Sequence, residues 1–276
     1  MLSRIALVVL GLLFTGRVIA DDAFKPLPPA ELCRQSTVQA RKVWAQDLYD
    51  TTPEIARLMV DVIDGKLPQV RRELVAMNPA EATRWRQSAL ITASFAGQSA
   101  LVAGLLDDGA TVEGKGWIPG YKQELSDYMI EVMKHDPRFG GPKAVEGMKA
   151  SGLMGNQGQE MGPALVVATQ CDNSILVDVL LQHHANAKVR LRPDGINVLG
   201  LAIINSNATI VQALLDHGVD VCADDRLAQQ IRLEHKKMHP EYELKPFTTY
   251  AELGHRTKLP ANIVARLTCP AFDSTH

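Results

Sequence analysis

The chain has 276 residues, of which 46% are hydrophobic and 22% charged, and its formal net charge is −2. These values are ordinary for a globular protein, and the length allows one large domain or two small ones. The sequence has neither a basic excess nor an arginine-rich block, so its composition argues against a nucleic-acid partner.

The first twenty residues are expected to form a secretory signal peptide. Arg4 supplies a positive charge, residues 5–14 are an unbroken apolar run, and Val18 and Ala20 place compact residues before a cleavage point at Asp21. The apolar run is too short to span a bilayer, which needs about 20 residues. A retained membrane anchor is the alternative. The signal-peptide interpretation predicts a periplasmic protein without stable membrane insertion, with secretion as the alternative.

Four cysteines lie downstream of this segment, and an even number in an exported chain favours disulfides over free thiols. Their spacings are too wide for zinc ligation of the CxxC type. Three pairings are open. We favour Cys222–Cys269, because that bond would tie the terminal segment to its neighbour, and the second pair would then be Cys33 and Cys171.

Self-similarity with a period near 33 residues is the strongest signal in the chain. Residues 88–113, 163–188 and 197–222 each carry an alanine, then a glycine or small polar residue, then a leucine pair followed by a turn. The alanines are Ala93, Ala168 and Ala202, and the leucine pairs are Leu105-Leu106, Leu180-Leu181 and Leu214-Leu215. The last two pairs are 34 residues apart, whereas the first two are 75 apart, which leaves 42 extra residues between them.

These segments resemble ankyrin repeats, whose unit reads roughly T-P-L-H-x-A-A-x-x-G, followed by a second helix that ends L-L-x-x-G-A. The stretches LVAGLLDDGATVE and IVQALLDHGVDVC carry the second half of that unit well. The first half departs from it, since S-A-L-I, P-A-L-V and N-V-L-G stand where the family has T-P-L-H. The resemblance implies an all-α solenoid of about five helix pairs, in which each pair covers the apolar face of the next.

Two degenerate end repeats complete this organisation. Near the start, Thr52-Pro53 is a good helix start and Gly65 separates two helical runs. Near the end, Gly254 and His255 precede an apolar stripe. We therefore divide the chain into a signal peptide at 1–20, an N-terminal extension and capping helix at 21–57, repeats 1–2 at 58–113, an insertion at 114–162, repeats 3–4 at 163–222, a charged helical excursion at 223–247, and a degenerate C-terminal repeat with a tail at 248–276.

The insertion is rich in methionines and aromatic residues, a combination typical of a surface that adapts to a partner. The alternative is that it packs over its own repeats and extends the core. In an ankyrin-like stack it leaves from a hairpin beside the concave face, where exposed charges at the tip of another hairpin are also common contacts. The predicted partner-binding residues are Trp117, Tyr121, Tyr128, Met129, Met133, Arg190, Arg192 and Asp194.

No catalytic motif is evident, because the sequence has no G-x-S-x-G, G-x-G-x-x-G, phosphate-loop or H-E-x-x-H pattern. His235 and His239 have the spacing of two metal ligands on one helix face, but a solvated face is the simpler interpretation of so charged a helix. His183, His184 and His217 fall at predicted turns, where a histidine interacts with a helix C-terminus or faces solvent. We predict no catalytic residues, no metal and no cofactor.

The sequence thus predicts a non-catalytic protein whose partner is another protein. The ankyrin resemblance leaves two hypotheses open. One is an immunity-type inhibitor that neutralises a secreted toxic effector. The other is a periplasmic scaffold or chaperone-like factor that supports an enzyme, for example in oxidative defence. A metal-dependent hydrolase built on the insertion and the His235/His239 helix is a third hypothesis.

Overall fold

The computed structural model describes residues 28–120, 134, 142, 158–190, 197–238 and 248–269, with the side chains of 231, 232 and 235 left out. The described part is mostly helical, and a single pair of short strands interrupts it. The elements in chain order are α1 (Pro29–Ala45), α2 (Pro53–Ile63), α3 (Leu67–Ala76), α4 (Pro79–Phe95), α5 (Ser99–Asp107), β1 (Gly116–Ile118), β2 (Gln159–Met161), α6 (Ala164–Gln170), α7 (Ser174–Gln182), α8 (Val198–Ile204), α9 (Ala208–Asp216), α10 (Val221–Met238), α11 (Tyr250–Arg256) and α12 (Ala261–Arg266).

The chain forms two compact units. The first extends to Gly162, and the second begins at Pro163 and takes in Pro29–Glu31 from the start of α1. In the first unit α2 pairs with α3 and α4 pairs with α5, while α4 also contacts both α2 and α3. Strand β1 packs along α4 and pairs with β2. The described part of the first unit therefore combines most of α1 with two helix pairs that pack on each other and carry a β-hairpin.

Three helix pairs pack on one another in the described part of the second unit. The pairs are α6 with α7, α8 with α9, and α11 with α12. The first helix of the middle pair, α8, contacts α6 and α11, and its second helix, α9, contacts α7 and α12. First helices thus pack on first helices and second helices on second helices. No pair in this unit could bury its apolar face without a neighbour.

The turn inside each pair has the same geometry in all five described pairs. A residue with positive φ follows the first helix, namely Gly65, Gly97, Asp172, Ser206 or Lys258. Its N–H bonds to the carbonyl three residues back, and the next N–H bonds to the carbonyl five residues back. This is the Schellman motif, which satisfies carbonyls that the helix leaves without partners. The turn reverses the chain tightly enough for the second helix to pack against the first.

The alanines and leucines of the periodic segments line the interior of the two units. Ala93, Ala168 and Ala202 are fully buried in the first helices of their pairs. Small side chains at these positions let neighbouring helices approach closely. The first leucine of each pair is also fully buried, and the second is buried in the pairs of the second unit: Leu105, Leu180, Leu181, Leu214 and Leu215. The periodic residues identified in the sequence thus form the core.

Asparagine or threonine caps begin several of these helices. The side chains of Asn173, Asn197 and Asn207 each accept a hydrogen bond from the backbone N–H three residues later. Thr249 forms a complete capping box with Glu252. A cap of this kind stabilises a helix by about 1 kcal/mol, which matters for helices as short as these.

The Cys222–Cys269 disulfide favoured from the sequence is present, with a Cα–Cα distance of 5.5 Å. It joins the start of α10 to the residues that follow α12, and both lie in the second unit. Cys33 and Cys171 are disulfide-bonded as well, so no cysteine is free. The bond closes the last helix pair onto the segment that precedes it.

Several boundaries differ from the sequence analysis. Helix α2 begins at Pro53, as the Thr52-Pro53 pair predicts, which is earlier than the repeat boundary drawn at residue 58. Gly254 lies inside α11, where it is buried, and Lys258 adopts the turn conformation. A Cβ at residue 254 would lie 3.1 Å from Leu267 Cδ1, so this glycine serves helix packing. The described part of the charged excursion belongs to helix α10, which begins at Val221 and is described to Met238.

Candidate functional site

The β-hairpin of β1 and β2 is fixed to helix α4. The strands are antiparallel, with Trp117 opposite Glu160. The buried Ser88 hydroxyl donates to the Trp117 carbonyl over 2.7 Å and accepts from the Trp117 N–H over 3.1 Å. Gly116 permits this approach, because a Cβ there would lie 2.8 Å from the Ser88 Cα. One serine thus anchors the backbone of β1 on both sides.

A second contact holds the segment that leads into the hairpin. The Gln87 side-chain amide donates to the Thr111 carbonyl and accepts from the Thr111 N–H, both over 3.0 Å. A paired amide of this kind mimics a backbone ladder. Adjacent residues of α4 therefore fix both the approach to β1 and β1 itself.

The indole of Trp117 lies in a stack with two side chains of α4. Its ring meets that of Trp85 edge to face, with centroids 6.2 Å apart and an interplanar angle of 73°. The Arg84 guanidinium carbon lies 4.1 Å from the centre of the Trp117 ring. Edge-to-face and cation–π contacts are both favourable arrangements for these groups. Trp117 is half-buried and Trp85 is buried, so the pair forms an ordered aromatic surface.

This surface lines a cleft of about 510 Å³, which we call the hairpin cleft. Its walls come from the segment that leads into α2, from the segment between α3 and α4 with the first turns of α4, and from β1. The lining residues are Asp50, Thr51, Thr52, Glu54, Ile55, Ala76, Met77, Asn78, Glu81, Arg84, Trp85 and Trp117. Three of these side chains are carboxylates and one is a guanidinium, so the cleft is acidic with a partly aromatic lining.

Local hydrogen bonds order the walls of the hairpin cleft. Asn78 caps α4 by accepting from the Glu81 N–H over 3.0 Å. Its own amide donates to the Glu81 carboxylate. The Asp50 N–H donates to the Gly120 carbonyl over 2.7 Å, which ties the α2 side of the cleft to the end of the β1 segment. The walls therefore have a defined geometry.

Glu54 stands at the first turn of α2, where negative charge is favoured by the helix dipole. Hydrogen bonds from its own backbone N–H and from the Thr52 hydroxyl hold the pKa of Glu54 below its ordinary value. Arg57 lies 3.8 Å away, and both side chains are well exposed. Glu54 is therefore an ionised, accessible carboxylate at neutral pH.

A neighbouring cleft of about 460 Å³ shares Glu54 with the hairpin cleft. Its lining includes the acidic residues Asp47, Glu54, Asp61 and Glu73, against one basic residue, Arg57. Burial, and next the negative charge of Asp61, raise the pKa of Glu73 above its ordinary value. The two adjoining clefts make this face of the first unit predominantly acidic.

The second unit contains a buried polar cluster, which we define as Arg190, Asn197, Asp224, Asp225 and Tyr250. Arg190 and Asn197 donate to opposite oxygens of Asp224, over 2.9 and 2.6 Å. The Tyr250 hydroxyl donates to the Asn197 side-chain oxygen over 2.9 Å, and the Tyr250 N–H donates to Asp225 over 3.2 Å. The polar cluster links the segment before α8 to α10 and α11.

Burial dominates the electrostatics of the polar cluster. It raises the pKa of Asp225 to about 6, against a partial opposing effect of the hydrogen bond from Tyr250. Asp225 is 1% exposed, and its Oδ2 has no hydrogen-bond partner among the described residues. Burial also raises the pKa of Asp224, although the charge of Arg190 acts in the opposite direction. The Tyr250 pKa is raised for the same reason, so its hydroxyl stays protonated.

The structure places the predicted contact residues in different environments. Trp117 lines the hairpin cleft. The expectation that Arg190 is an exposed charge at a hairpin tip is wrong, because its side chain is 17% exposed and is paired with Asp224. His183, His184 and His217 lie at the ends of α7 and α9, as their turn positions predict. The predictions at Tyr121, Tyr128, Met129, Met133, Arg192 and Asp194, the signal peptide and the His235/His239 pair fall outside the side chains that the structure describes.

Sequence reasoning missed most of the hairpin cleft and of the polar cluster. The Asn78-Pro79 pair signals the start of α4 and could have placed Glu81, Arg84 and Trp85 on its first two turns. Asn197 directly precedes an apolar run, and a helix cap there was predictable from the residue type. Nothing in the sequence pairs Arg190 with Asp224, which are 34 residues apart.

Compared with known proteins, the chain matches no family profile, and no curated protein matches it in sequence. Among the described residues, no group of three or more histidine, cysteine, aspartate or glutamate side chains is placed to hold a metal ion. Within the same residues, no helix is both long enough and apolar enough to cross a membrane.

Proposed function

We propose that this protein is an exported, non-catalytic binding protein with an ankyrin-type solenoid, and that it neutralises a toxic effector in the manner of an immunity protein. The observation that carries the proposal is the regular stacking of helix pairs joined by identical turns, with a β-hairpin held rigidly beside them. Stacked helix pairs present extended surfaces that suit protein recognition. The ankyrin-like residues at the core positions support the same assignment.

The disulfides support export. All four cysteines are oxidised, and disulfides form and persist in compartments such as the bacterial periplasm. A binding protein that meets its partner there gains from a scaffold whose cysteines are already paired. The residues expected as the signal peptide precede the first described helix in the sequence.

The hairpin provides the second line of support. Ser88 of α4 fixes β1, Gln87 fixes the segment before β1, and β2 pairs with β1. Residues 119–158 connect the two strands. A rigid base with a long variable connection is a common way to present a binding loop. Trp117, a predicted contact residue, sits in that base.

The test is affinity purification of the tagged mature protein from the periplasm, followed by mass spectrometry. We expect one partner in stoichiometric amount, and growth protection when that partner is expressed together with the protein. Recovery of an enzyme whose activity depends on this protein would favour the scaffold function. Absence of any stoichiometric partner would contradict both.

A deletion variant locates the contact. Replacing residues 121–157 by a Gly-Ser dipeptide between Gly120 and Gly158 keeps β1, β2 and the Ser88 anchor, whereas removal of residues 114–162 would also remove Trp117. A short loop of this length is compatible with an antiparallel hairpin. Loss of the partner from a variant with unchanged helical circular dichroism would place the contact in the insertion.

A further inference from the structure

We propose that the hairpin cleft receives a basic side chain, lysine or arginine, from a partner protein, with an adjoining apolar side chain packed against Trp117. This inference rests on the proposed binding function and specifies the chemistry of the partner. It concerns only residues of the first unit.

The shape and lining of the hairpin cleft suit a protruding side chain. Its volume of about 510 Å³ lies within the range of about 300–1,000 Å³ that is usual for small-molecule sites. Trp85, Trp117 and Met77 supply aromatic and thioether surface, which accepts both aliphatic stems and cations. Tryptophan in such a setting is a frequent source of binding energy at protein interfaces.

The charges select the occupant. Asp50, Glu54 and Glu81 are exposed carboxylates on the walls, and Arg84 is the basic residue of the lining. The Arg84 guanidinium is already stacked on Trp117. An acidic or phosphorylated segment would meet this excess of negative charge, and a purely apolar one would desolvate carboxylates without compensation. A lysine or arginine side chain would supply positive charge and hydrogen-bond donors to these carboxylates.

The surroundings extend the same preference. The neighbouring cleft shares Glu54 and adds Asp47 and Glu73, against Arg57. Asp61 of that cleft is paired with Lys66. Complementary potential over a whole face speeds association and disfavours partners of the wrong charge. The Asn78 cap and the Asp50–Gly120 hydrogen bond fix the walls before binding, and a preformed site loses less conformational entropy.

The test uses a random peptide library displayed on phage and selected against the full mature chain. We expect the enriched peptides to share a lysine or arginine next to an apolar residue. The double variant Asp50→Asn/Glu54→Gln should weaken binding of the synthesised peptides about tenfold or more, as measured by calorimetry. These substitutions keep size and polarity and leave the Asn78 cap of α4 intact.

A matched control removes the same number of charges elsewhere. Asp107→Asn/Asp178→Asn changes two exposed carboxylates of α5 and α7 outside the hairpin cleft. This variant should bind the peptides as the unaltered chain does. Equal weakening by both double variants, enrichment of acidic or purely apolar peptides, or no enrichment would overturn the inference.

The natural partner separates this inference from the proposed function. If periplasmic purification recovers a stoichiometric partner equally well with the unaltered chain and with Asp50→Asn/Glu54→Gln, the binding function stands and the inference about the cleft fails. If neither the unaltered chain nor the double variant recovers a partner, the proposed function itself fails.

Discussion

Asp225 offers the sharpest test of the buried polar cluster. Its carboxyl has a pKa of about 6 in the folded chain against an ordinary value of 3.8. Between these values the folded state binds more protons than the unfolded state, so stability falls as the pH rises through this window and is level above it. The difference corresponds to about 3 kcal/mol, because each pKa unit is worth about 1.4 kcal/mol.

The perturbation is Asp225→Asn, which keeps the shape and the acceptor for the Tyr250 N–H but cannot ionise. At about pH 7.5 the variant should be more stable by up to about 3 kcal/mol, and its melting temperature should rise by about 6–12 °C. At about pH 4 the two proteins should differ little, since Asp225 is then protonated in the folded state.

The assay is urea unfolding followed by circular dichroism at both pH values, with the disulfides intact. The control is Asp178→Asn, which replaces an exposed carboxylate. It should have a small effect on the free energy of unfolding, of the same size at both pH values. Two results would refute this reasoning: Asp225→Asn is destabilising at neutral pH, or its effect does not depend on pH. Burial would then not disfavour the ionised form of Asp225, and the description of the polar cluster would be wrong.

Three further predictions concern packing and anchoring. Leu180→Ala removes a fully buried side chain and should cost about 2–5 kcal/mol in urea unfolding, whereas Val75→Ala at an exposed position should stay within about 0.5 kcal/mol; equal effects would contradict the core assignment. Ser88→Ala leaves the two β1 backbone groups without their partner and should cost about 1–3 kcal/mol, with a change in tryptophan fluorescence; an unchanged spectrum would refute the anchor. Replacing Cys222 and Cys269 by serine opens a loop with a sequence separation of 47 and should cost about 4 kcal/mol, measured by thermal unfolding against the oxidised chain.

The helix pairs of the second unit were predictable because their signal is local. Ala168 and the Leu180-Leu181 pair lie within one short segment, and their spacing alone places them on the facing sides of two helices. The Cys222–Cys269 bond followed from the order of the segments that it joins. The start of α2 followed from a threonine and a proline, whose backbone preferences are intrinsic.

The remaining features depend on contacts between distant segments. Gly254 has the sequence context of a turn glycine, but a buried helical glycine against Leu267 gives the same pattern. The hairpin cleft combines carboxylates from the start of α2 with tryptophans from α4 and β1, and no spacing rule connects these. In the sequence Arg190 has the pattern of a solvated charge. Only the structure shows that it is paired with Asp224.

The positive-φ residues of the turns affect which substitutions the chain can accept. Ser206 and Lys258 hold a conformation that costs an L-residue about 1–2 kcal/mol, and backbone hydrogen bonds enforce it. Asp172 does the same, while its carboxylate also accepts a bond from Asn207. Glycine could therefore replace the polar residue at each of these sites without disturbing the turn. Such exchanges would change heat tolerance and leave the hairpin cleft as it is.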